Sequence, residues 1–332
     1  LMKEILIFRT DRIGDLLLYL PLINCLKRNY PSSIISIVCS EKNYSYANHL
    51  QLFNKVHLYP KNFIQKIILF IKLFSKKDLV MVLDGKKRSI YFSIFIPSKL
   101  KILFSPSLFI KKFFSNFFNF FFYIDYNQSI VSYQEEALKL LKLTLIEEDY
   151  LLKNKTTNKL NYKIPVSKNP ILLFNFDEKW IWENYIKTFE NIEPSYEELI
   201  SFIEDVVNKK QYTLLISDGL IRNALFDRLI SESHKINEFV YEKKIGDNAK
   251  IYLFRKVDIH DLNHLIKCSN VMLTCHGAPS HLAACNSKKI IDIIDGNEGL
   301  LIHKSCSGHF KKTTSLPREN FSKLSKKILN LL

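Results

Sequence analysis

The sequence lacks several signatures that would assign it to a common class of protein. Its six cysteines show no CxxC pairing, and this is typical of buried free thiols in a reducing cytoplasm rather than of a secreted disulfide framework. No GxGxxG follows either predicted first strand, which argues against a dehydrogenase. His260 and His264 are spaced i, i+4 without a surrounding HExxH, so no metal site and no metal cofactor is predicted.

Long apolar runs are also missing. The best candidate, residues 113–124, has twelve residues that include one Ser and two Asn, whereas a bilayer-spanning helix needs about 20. The N-terminus enters a strand pattern directly, so we expect no signal peptide. These absences predict a cytoplasmic protein without a membrane-spanning helix.

The composition that is present describes a folded, basic protein. The chain has 332 residues, of which 47% are hydrophobic and 24% charged, and this length is sufficient for two domains. Its net charge of +15 should attract phosphates of a nucleic acid, a lipid or a nucleotide. Because no nucleic-acid-binding motif accompanies the charge, no nucleic-acid partner is predicted.

Strand and helix patterns alternate along both halves of the chain. Strands are predicted over Ile5–Phe8, Ile34–Cys39, Asp78–Asp84, Ile171–Phe174, Tyr212–Ser217, Val271–Thr274 and Ile290–Ile294. Helices are predicted over Leu16–Arg28 (ended or kinked by Pro21), Lys66–Phe74, Gln134–Lys142, Tyr196–Lys209, Ala224–Ser231, Asp258–Cys268 and Ser322–Leu332, with another beginning at His281–Cys285. This alternation predicts an α/β fold with doubly wound parallel sheets.

The polar stretch from Lys153 to Asn169, with Pro165 near its end, is interpreted as an interdomain linker. It divides the chain into two Rossmann-like domains, 1–160 and 161–332, with the last helix a candidate to pack back on the first domain. In such folds ligands bind at the carboxyl ends of the strands, so we expect the active site in a cleft between the domains.

The loop after the first strand, Arg9-Thr-Asp-Arg-Ile-Gly-Asp15, holds the main catalytic candidate. Asp15 lies at the carboxyl end of the sheet, where an acid can act as a general base towards an attacking hydroxyl. Arg9 and Arg12 flank it and are candidates to hold an anionic acceptor or to keep Asp15 ionised. The alternative is that Asp15 only caps the following helix.

A second candidate site is the turn Thr274-Cys-His-Gly-Ala-Pro-Ser-His281. A strand enters a turn of small residues and then a helix, so free backbone N–H groups are available for a diphosphate. Gly277 and Ala278 allow close approach, and His281 is a candidate hydrogen-bond donor, although a buried core histidine is the alternative.

Two weaker candidates follow other strands. Lys179, in Asp177-Glu-Lys-Trp180, is a candidate to neutralise a leaving phosphate, or else a solvated surface lysine. Asp84-Gly-Lys-Lys-Arg-Ser89 places three cations after a glycine and suits an anionic acceptor, or else is a solvated charge run.

A basic aromatic segment extends from Lys86 to Ile124. It contains seven Lys or Arg and eleven Phe but no Asp or Glu, which suits the interface of an anionic membrane. The alternative is that the phenylalanines form the core of the first domain while the lysines are solvated.

These motifs together resemble the glycosyltransferases of family 9, the lipopolysaccharide heptosyltransferases. The string from Ile5 to Pro31 follows that family's Arg, Ile-Gly-Asp, Pro, Leu-Lys, Pro order. Further matches are Asp84 with Arg88 and Ser89, the sequence Ser280-His-Leu-Ala-Ala284, and the position of Lys179. At 276–278 the family usually has Asp-Ser/Thr-Gly, whereas this chain has His276-Gly277-Ala278.

The resemblance implies a GT-B fold and an inverting, metal-independent transfer from a nucleotide-sugar, without identifying the sugar. Asp15 would be the base. The first domain would bind an anionic, lipid-linked glycan acceptor through Arg9, Arg12, Asp84, Lys87, Arg88 and Ser89. The second would bind the donor through Lys179, Val257, His276, Gly277, Ala278, Ser280 and His281.

By the same resemblance the protein would be a bacterial enzyme of the cell envelope, peripheral on the inner face of the cytoplasmic membrane. Two alternatives belong to other classes. One is a GT-B enzyme with different sugar-nucleotide chemistry, such as epimerisation. The other is a non-catalytic basic protein that binds membranes or glycans.

Overall fold

The computed structural model describes residues 2–153, 160, 162, 164, 167–181, 189–246 and 249–332, apart from the side chains of 297, 298, 300, 302 and 303. The chain forms two compact units. The N-terminal unit comprises residues 1–154 and 304–309, and the C-terminal unit 155–303 and 310–332. Most of the predicted linker lies outside the described residues. The inclusion of 304–309 in the N-terminal unit was not predicted from the sequence.

The N-terminal unit is a parallel sheet connected by helices. Its strands are β1 (Glu4–Arg9), β2 (Ile34–Cys39), β3 (Lys55–Leu58), β4 (Lys77–Val82), β5 (Ser98–Ser105) and β6 (Phe120–Tyr123). Its helices are α1 (Ile13–Leu18), α2 (Leu20–Asn29), α3 (Glu41–His49), α4 (Phe63–Leu73), α5 (Lys87–Ile94), α6 (Leu108–Phe114) and α7 (Ile130–Leu140). The strand order is β3-β2-β1-β4-β5-β6. This is the Rossmann order, with its switch point between β1 and β4.

Pro21 breaks the helix that follows β1. The sequence predicts one helix over Leu16–Arg28 with a break or kink near Pro21, and the structure has α1 and α2 separated at Tyr19. Pro21 is tolerated in the first turn of α2 because the N–H groups there have no partner within the helix. The break gives α1 a direction independent of α2.

Helices α4, α5 and α6 cover one face of the sheet. Their inner side chains, such as Leu69, Ile90 and Ile110, pack against Phe8 and Val82 of β1 and β4. The Phe-rich segment at 113–124 ends α6, passes through a short 3-10 turn and forms β6, with Phe118 buried and Phe117 exposed. Some of these phenylalanines therefore belong to the core and others to the surface.

The C-terminal unit has a larger, mixed sheet. Its strands are β7 (Ile171–Asn175), β8 (Thr213–Ser217), β9 (His234–Lys235), β10 (Val240–Ile245), β11 (Ala249–Phe254), β12 (Val271–Cys275), β13 (Lys289–Ile294) and β14 (Thr313–Pro317). Their order is β14-β13-β12-β7-β8-β11-β10-β9. All pairs are parallel except β10–β11 and β9–β10, which are antiparallel. The sequence patterns did not predict this antiparallel edge.

Most helices of this unit follow the sequence patterns, but α12 was not predicted and α11 begins three residues before the predicted start. They are α8 (Tyr196–Glu204), α9 (Ala224–Ser231), α10 (Ile259–Cys268), α11 (Ala278–Cys285), α12 (Gly296–Ser305) and α13 (Phe321–Leu331). The predicted capping box of α8 forms, since Glu198 accepts from the Ser195 N–H at 2.9 Å and Ser195 accepts from the Glu198 N–H at 3.1 Å. After Glu204 the helix continues as a π-helical turn over Asp205–Lys209.

The terminal helix α13 was expected to pack back on the first domain. Instead, its buried face belongs to the core of the C-terminal unit, where Phe321, Leu324 and Ile328 are buried. The ring of Phe321 lies 6.4 Å from that of Trp180.

All six cysteines are free thiols. Within the described ranges, no helix is long and apolar enough to cross a bilayer.

Gly85, which follows β4, provides a test of how tightly the loop after β4 is constrained. Its φ is +57°, and a Cβ atom there would lie 2.9 Å from the Phe104 carbonyl oxygen. We expect Gly85→Ala to lower the free energy of unfolding by about 1–2 kcal/mol for the left-handed backbone, plus about 1–3 kcal/mol for the overlap. Denaturant titration measures the sum.

Gly246→Ala is the matched control, because Gly246 has a φ of +60° with nothing within 4 Å of an added Cβ. It should show only the backbone cost. Equal losses for the two variants would mean that the loop after β4 accommodates the extra atom.

Candidate active site

Asp15 lies in the first turn of α1, immediately after the loop that leaves β1. Its Oδ2 accepts a hydrogen bond from the Arg12 N–H at 3.2 Å, and its Oδ1 lies 3.7 Å from Nη2 of Arg9. Asp15 therefore does cap α1, as the alternative interpretation of the sequence predicted, but the cap uses only one of its two carboxylate oxygens. The side chain remains 43% exposed. A carboxylate that is fixed in place and still reachable from solvent is able to accept a proton from a hydroxyl that comes within hydrogen-bond distance.

Arg9 supports this loop from inside the unit. The residue is 5% exposed, and it donates from Nε to the Asp15 carbonyl at 3.1 Å and from Nη1 to the Leu83 carbonyl. Its guanidinium lies 4.5 Å from the centre of the Tyr19 ring. Arg9 therefore supports the Asp15 loop, in agreement with the second of the two roles suggested by the sequence.

Asp84 connects the loops after β1 and β4. Its Oδ2 accepts from the Thr10 N–H at 2.8 Å, from the Thr10 hydroxyl at 2.6 Å and from the Ser89 hydroxyl at 2.7 Å. Its Oδ1 accepts from the Lys86 N–H at 3.1 Å. Ser89 is completely buried. Two of the predicted acceptor-binding residues, Asp84 and Ser89, therefore form the framework under the site.

The three cations after Gly85 point to different parts of the N-terminal unit. Lys86 and Arg88 reach back to the β1 loop, where Lys86 Nζ donates to the Thr10 carbonyl at 3.3 Å and Arg88 Nε donates to the Thr10 hydroxyl at 2.8 Å. The Lys87 ammonium lies over the Phe109 ring at 5.1 Å. Of the three cations that the sequence singled out after Gly85, Lys86 and Arg88 line the pocket described next, whereas Lys87 is not among its lining residues.

These residues surround a pocket of about 1000 Å³ within the N-terminal unit. Its walls contain six cations (Arg12, Lys42, Lys61, Lys66, Lys86, Arg88), four carboxylates (Asp11, Asp15, Glu41, Asp84), and Thr10, Ser40, Tyr59, Pro60 and Tyr126. Lys61 forms an ion pair with Glu41 at 2.7 Å. Both oxygens of Asp84 already accept hydrogen bonds from the loops after β1 and β4. The remaining cations favour an anionic ligand.

Asp11 is a second carboxylate in the same loop. Its Oδ1 lies 3.1 Å from Nε of Arg9, whose single N–H donates to the Asp15 carbonyl. Burial raises the pKa of Asp11 to about 6, with Asp15 and Asp84 adding to the rise and Arg9 opposing it. The loop thus contains an accessible carboxylate, Asp15, and a more deeply buried one that titrates near neutral pH.

In the C-terminal unit, the turn between β12 and α11 is fixed by a carboxylate from the neighbouring strand. Asp292 of β13 is completely buried. Its Oδ2 lies 2.6 Å from Nδ1 of His276, and its Oδ1 accepts from the Ser280 hydroxyl at 2.7 Å. The Ser280 hydroxyl in turn accepts from the Gly277 N–H at 3.3 Å. The sequence did not identify Asp292, because it lies within the apolar strand Ile-Ile-Asp-Ile-Ile.

Lys179 lies against the same turn. Its ammonium donates to the His276 carbonyl at 3.1 Å and lies 3.5 Å from Oδ2 of Asp177. A Cβ atom on Gly277 would overlap that ammonium. The two residues were singled out independently from the sequence, and the structure brings them together: glycine at 277 makes the space that the Lys179 ammonium occupies.

The other predicted donor residues are less accessible. His281 is 8% exposed, and its ring centre lies 4.9 Å from that of Phe310 and 5.6 Å from that of His276. Val257 is also buried, and its N–H donates to Oδ1 of Asp218 at 3.2 Å. Ala278, at the start of α11, is partly exposed.

Asp218 immediately follows β8 in the C-terminal unit. Its Oδ2 accepts from the Lys256 N–H at 2.9 Å, so it fixes the turn before α10. Burial raises its pKa to about 6, against the lowering effect of these backbone hydrogen bonds. Over the described part of the chain, no group of three His, Cys, Asp or Glu side chains has the arrangement of a metal site.

The raised pKa of Asp11 predicts a pH dependence of stability. Between about pH 4 and pH 6 the folded protein holds a proton on Asp11 that the unfolded chain has lost. The contribution of Asp11 to the free energy of unfolding should therefore fall as the pH rises through this window, by up to about 3 kcal/mol.

Denaturant titrations of the native chain and Asp11→Asn at pH 4 and pH 7 measure this. The free energy of unfolding of the native chain minus that of the variant should be smaller at pH 7 than at pH 4. A difference that does not change with pH would contradict the raised pKa.

No protein-family profile matches the sequence, and no curated protein matches it. Solved structures do match over nearly the whole chain. A family 9 glycosyl transferase from Veillonella parvula superposes with a TM-score of 0.66 at 14% identity, covering 99% of this chain and 91% of that one. The Escherichia coli heptosyltransferase WaaC with ADP gives a TM-score of 0.68 at 13% identity, covering 99% and 100%.

A putative UDP-N-acetylglucosamine 2-epimerase from Listeria monocytogenes gives a TM-score of 0.54 at 12% identity, covering 100% of this chain and 88% of that one. Identities this low report on the fold and not on the activity. The predicted fold class, α/β with two Rossmann-like units of the GT-B type, is confirmed by these structures and by the two sheets.

Proposed function

We propose that this protein is an inverting glycosyltransferase of the family 9, heptosyltransferase-like type, with Asp15 as its general base. The observation that carries the proposal is the Asp15 carboxylate, which is held by Arg9 and the Arg12 N–H and lines a basic pocket. The fold similarity to two glycosyltransferase structures supports it, as does the order of residues between Ile5 and Pro31.

The proposed reaction is a single displacement. An acceptor hydroxyl gives its proton to Asp15 while its oxygen bonds to the anomeric carbon of the donor sugar. The bond between that carbon and the phosphate oxygen breaks, and its electron pair leaves with the nucleoside diphosphate. Because attack and departure occur on opposite faces, the anomeric configuration inverts.

The acceptor class follows from the pocket of the N-terminal unit. Arg12, Lys42, Lys66, Lys86 and Arg88 provide positive charge around Asp15, which suits a glycan that carries phosphate or carboxylate groups. We therefore propose an anionic, lipid-linked acceptor of the lipopolysaccharide core or a related bacterial cell-envelope glycan. The proposed location is the inner face of the cytoplasmic membrane, where such an acceptor would be reached.

The donor class follows from the turn after β12. Helix α11 begins at Ala278, beside Gly277, and the N-terminal end of a helix favours an anionic group. The Lys179 ammonium lies against that turn. Positive charge at these positions can neutralise a leaving diphosphate, so the proposal needs neither a metal nor another cofactor. WaaC was solved with ADP and with ADP-2-deoxy-2-fluoro heptose, which makes ADP-linked sugars the first donors to test.

Asp15→Asn tests the assignment of the base. Asparagine keeps an oxygen for the Arg12 N–H but cannot take up the acceptor proton, so turnover should fall by about 10²–10⁴-fold. Donor binding and the free energy of unfolding should change little. Transfer is measured as nucleoside diphosphate release that depends on added acceptor.

Glu198→Gln is the matched control, because Glu198 makes the same capping contact at the start of α8. It should leave turnover unchanged. Retained turnover in Asp15→Asn would refute the assignment of the base. Release of free sugar or of an isomer without any acceptor would instead favour the epimerase-like alternative.

Gly277→Ala tests the donor assignment. The extended backbone at Gly277 (φ 160°, ψ −157°) accepts alanine, so the main effect should be displacement of the Lys179 ammonium. We expect affinity for a nucleoside diphosphate to fall by about tenfold, since roughly 1.4 kcal/mol of charge-assisted interaction is lost.

A thermal-shift screen of ADP-, GDP-, UDP- and CMP-linked sugars first identifies the nucleotide, because a bound donor raises the melting temperature. Calorimetry then compares Gly277→Ala and Lys179→Met with the native chain. Unchanged affinity in both variants would remove Lys179 and the turn from the donor site.

A further inference from the structure

The outer side of α4, α5 and α6 is apolar and exposed to solvent. These helices form one layer on the sheet of the N-terminal unit. Phe63, Ile67 and Ile71 of α4, Phe95 after α5, and Leu108 and Phe113 of α6 are between 45% and 73% exposed. We call this surface the three-helix apolar face. Many large apolar side chains exposed on one layer of helices are typical of an interaction site in soluble proteins.

Helix α4 contributes most of this face. Its sequence, Phe-Ile-Gln-Lys-Ile-Ile-Leu-Phe-Ile-Lys-Leu, has only three polar residues, yet only Leu69 and Leu73 are buried in the core. A helix that is apolar around most of its circumference is normally enclosed on more than one side. The aliphatic side chains opposite the core therefore require another apolar partner.

The charges on this layer are of one sign. Helices α4, α5 and α6 carry six cations (Lys66, Lys72, Lys87, Arg88, Lys111, Lys112) and no carboxylate. Lys87 and Lys112 lie over the rings of Phe109 and Phe113, at 5.1 and 5.5 Å. Long cationic side chains beside aromatic and aliphatic ones are typical of surfaces that lie in the interface of an anionic bilayer.

Charge also decides between the possible occupants. A second copy of the chain would bring the exposed cations of the two faces against one another, in a protein of net charge +15. A nucleic acid would be attracted by the cations but offers little apolar surface for Ile67 and Ile71. An anionic phospholipid bilayer suits both the cations and the apolar side chains, because its phosphates contact the lysines and its acyl chains contact the aliphatic side chains.

We propose that the three-helix apolar face docks the protein on anionic phospholipid membranes, with α4 as its main inserting element. Helix α4 precedes the basic aromatic segment identified from the sequence, so its contribution to this face is seen only in the structure.

The face adjoins the basic pocket. Lys66 of α4 lines the pocket together with Tyr59, and the Tyr59 ring packs 5.8 Å from Phe92 of α5. Docking would therefore bring the pocket beside the lipid headgroups. This last step rests on the proposed function, since it assumes that the pocket binds a lipid-linked acceptor.

Vesicle flotation of the full chain tests the docking. The native chain should bind vesicles that contain phosphatidylglycerol, bind pure phosphatidylcholine vesicles much less, and lose binding in high salt. A variant with Phe63→Ser, Ile67→Ser and Ile71→Ser should bind at least tenfold more weakly. Leu220→Ser is the matched control, because Leu220 is an 88% exposed residue of the C-terminal unit.

A charge variant supports the same test if the serine variant does not fold. Lys111→Gln with Lys112→Gln should weaken binding by about thirtyfold, at roughly 1 kcal/mol per lysine near the surface. Lys323→Gln with Lys326→Gln on α13 is the control of equal charge and should have a smaller effect.

Three outcomes would overturn the proposal: no binding of the native chain to anionic vesicles, equal weakening by test and control variants, or a native dimer that the serine variant converts to monomer. Failure of the docking proposal can be distinguished from failure of the proposed function. The serine variant should keep turnover on a detergent-dispersed acceptor, whereas Asp15→Asn should keep vesicle binding.

Discussion

The hydrogen bonds accepted by Asp84 hold the candidate site of the N-terminal unit together. One carboxylate oxygen receives the Thr10 N–H, the Thr10 hydroxyl and the Ser89 hydroxyl, so the ends of β1 and β4 are tied at the switch point of the sheet. Arg88 then reaches the Thr10 hydroxyl from the outside. Because Thr10 begins the loop that leads to Asp15, the position of the proposed base depends on this framework.

The two carboxylates of that loop differ in how far they are buried. Asp11 and Asp15 both lie near the Arg9 guanidinium, at 3.1 and 3.7 Å. Asp11 is enclosed and its pKa is raised, while Asp15 is open to the pocket. A single buried cation therefore organises the loop, and exposure decides which carboxylate is available to a ligand.

The sequence predicted the elements with strong patterns, including β1, β2, α8 and α9, and it singled out the loops after β1 and β4 that line the basic pocket. It did not predict the roles within those segments. Ser89 and Lys87 were candidates for the ligand, but a motif does not show which side chains turn inwards. Asp292 was missed because an acid inside an apolar strand gives no signal until its partners, His276 and Ser280, are known. The antiparallel edge β9–β11 was missed because its strands are short or rich in lysine.

The position of Asp292 makes the turn after β12 depend on a neighbouring strand. The carboxylate that contacts both His276 and Ser280 belongs to β13 and not to the turn itself. The geometry of the turn therefore depends on the register between β12 and β13, in which Thr274 lies beside Asp292. A slip of β13 by one residue would turn the Asp292 carboxylate to the other face of the sheet and remove it from both residues at once.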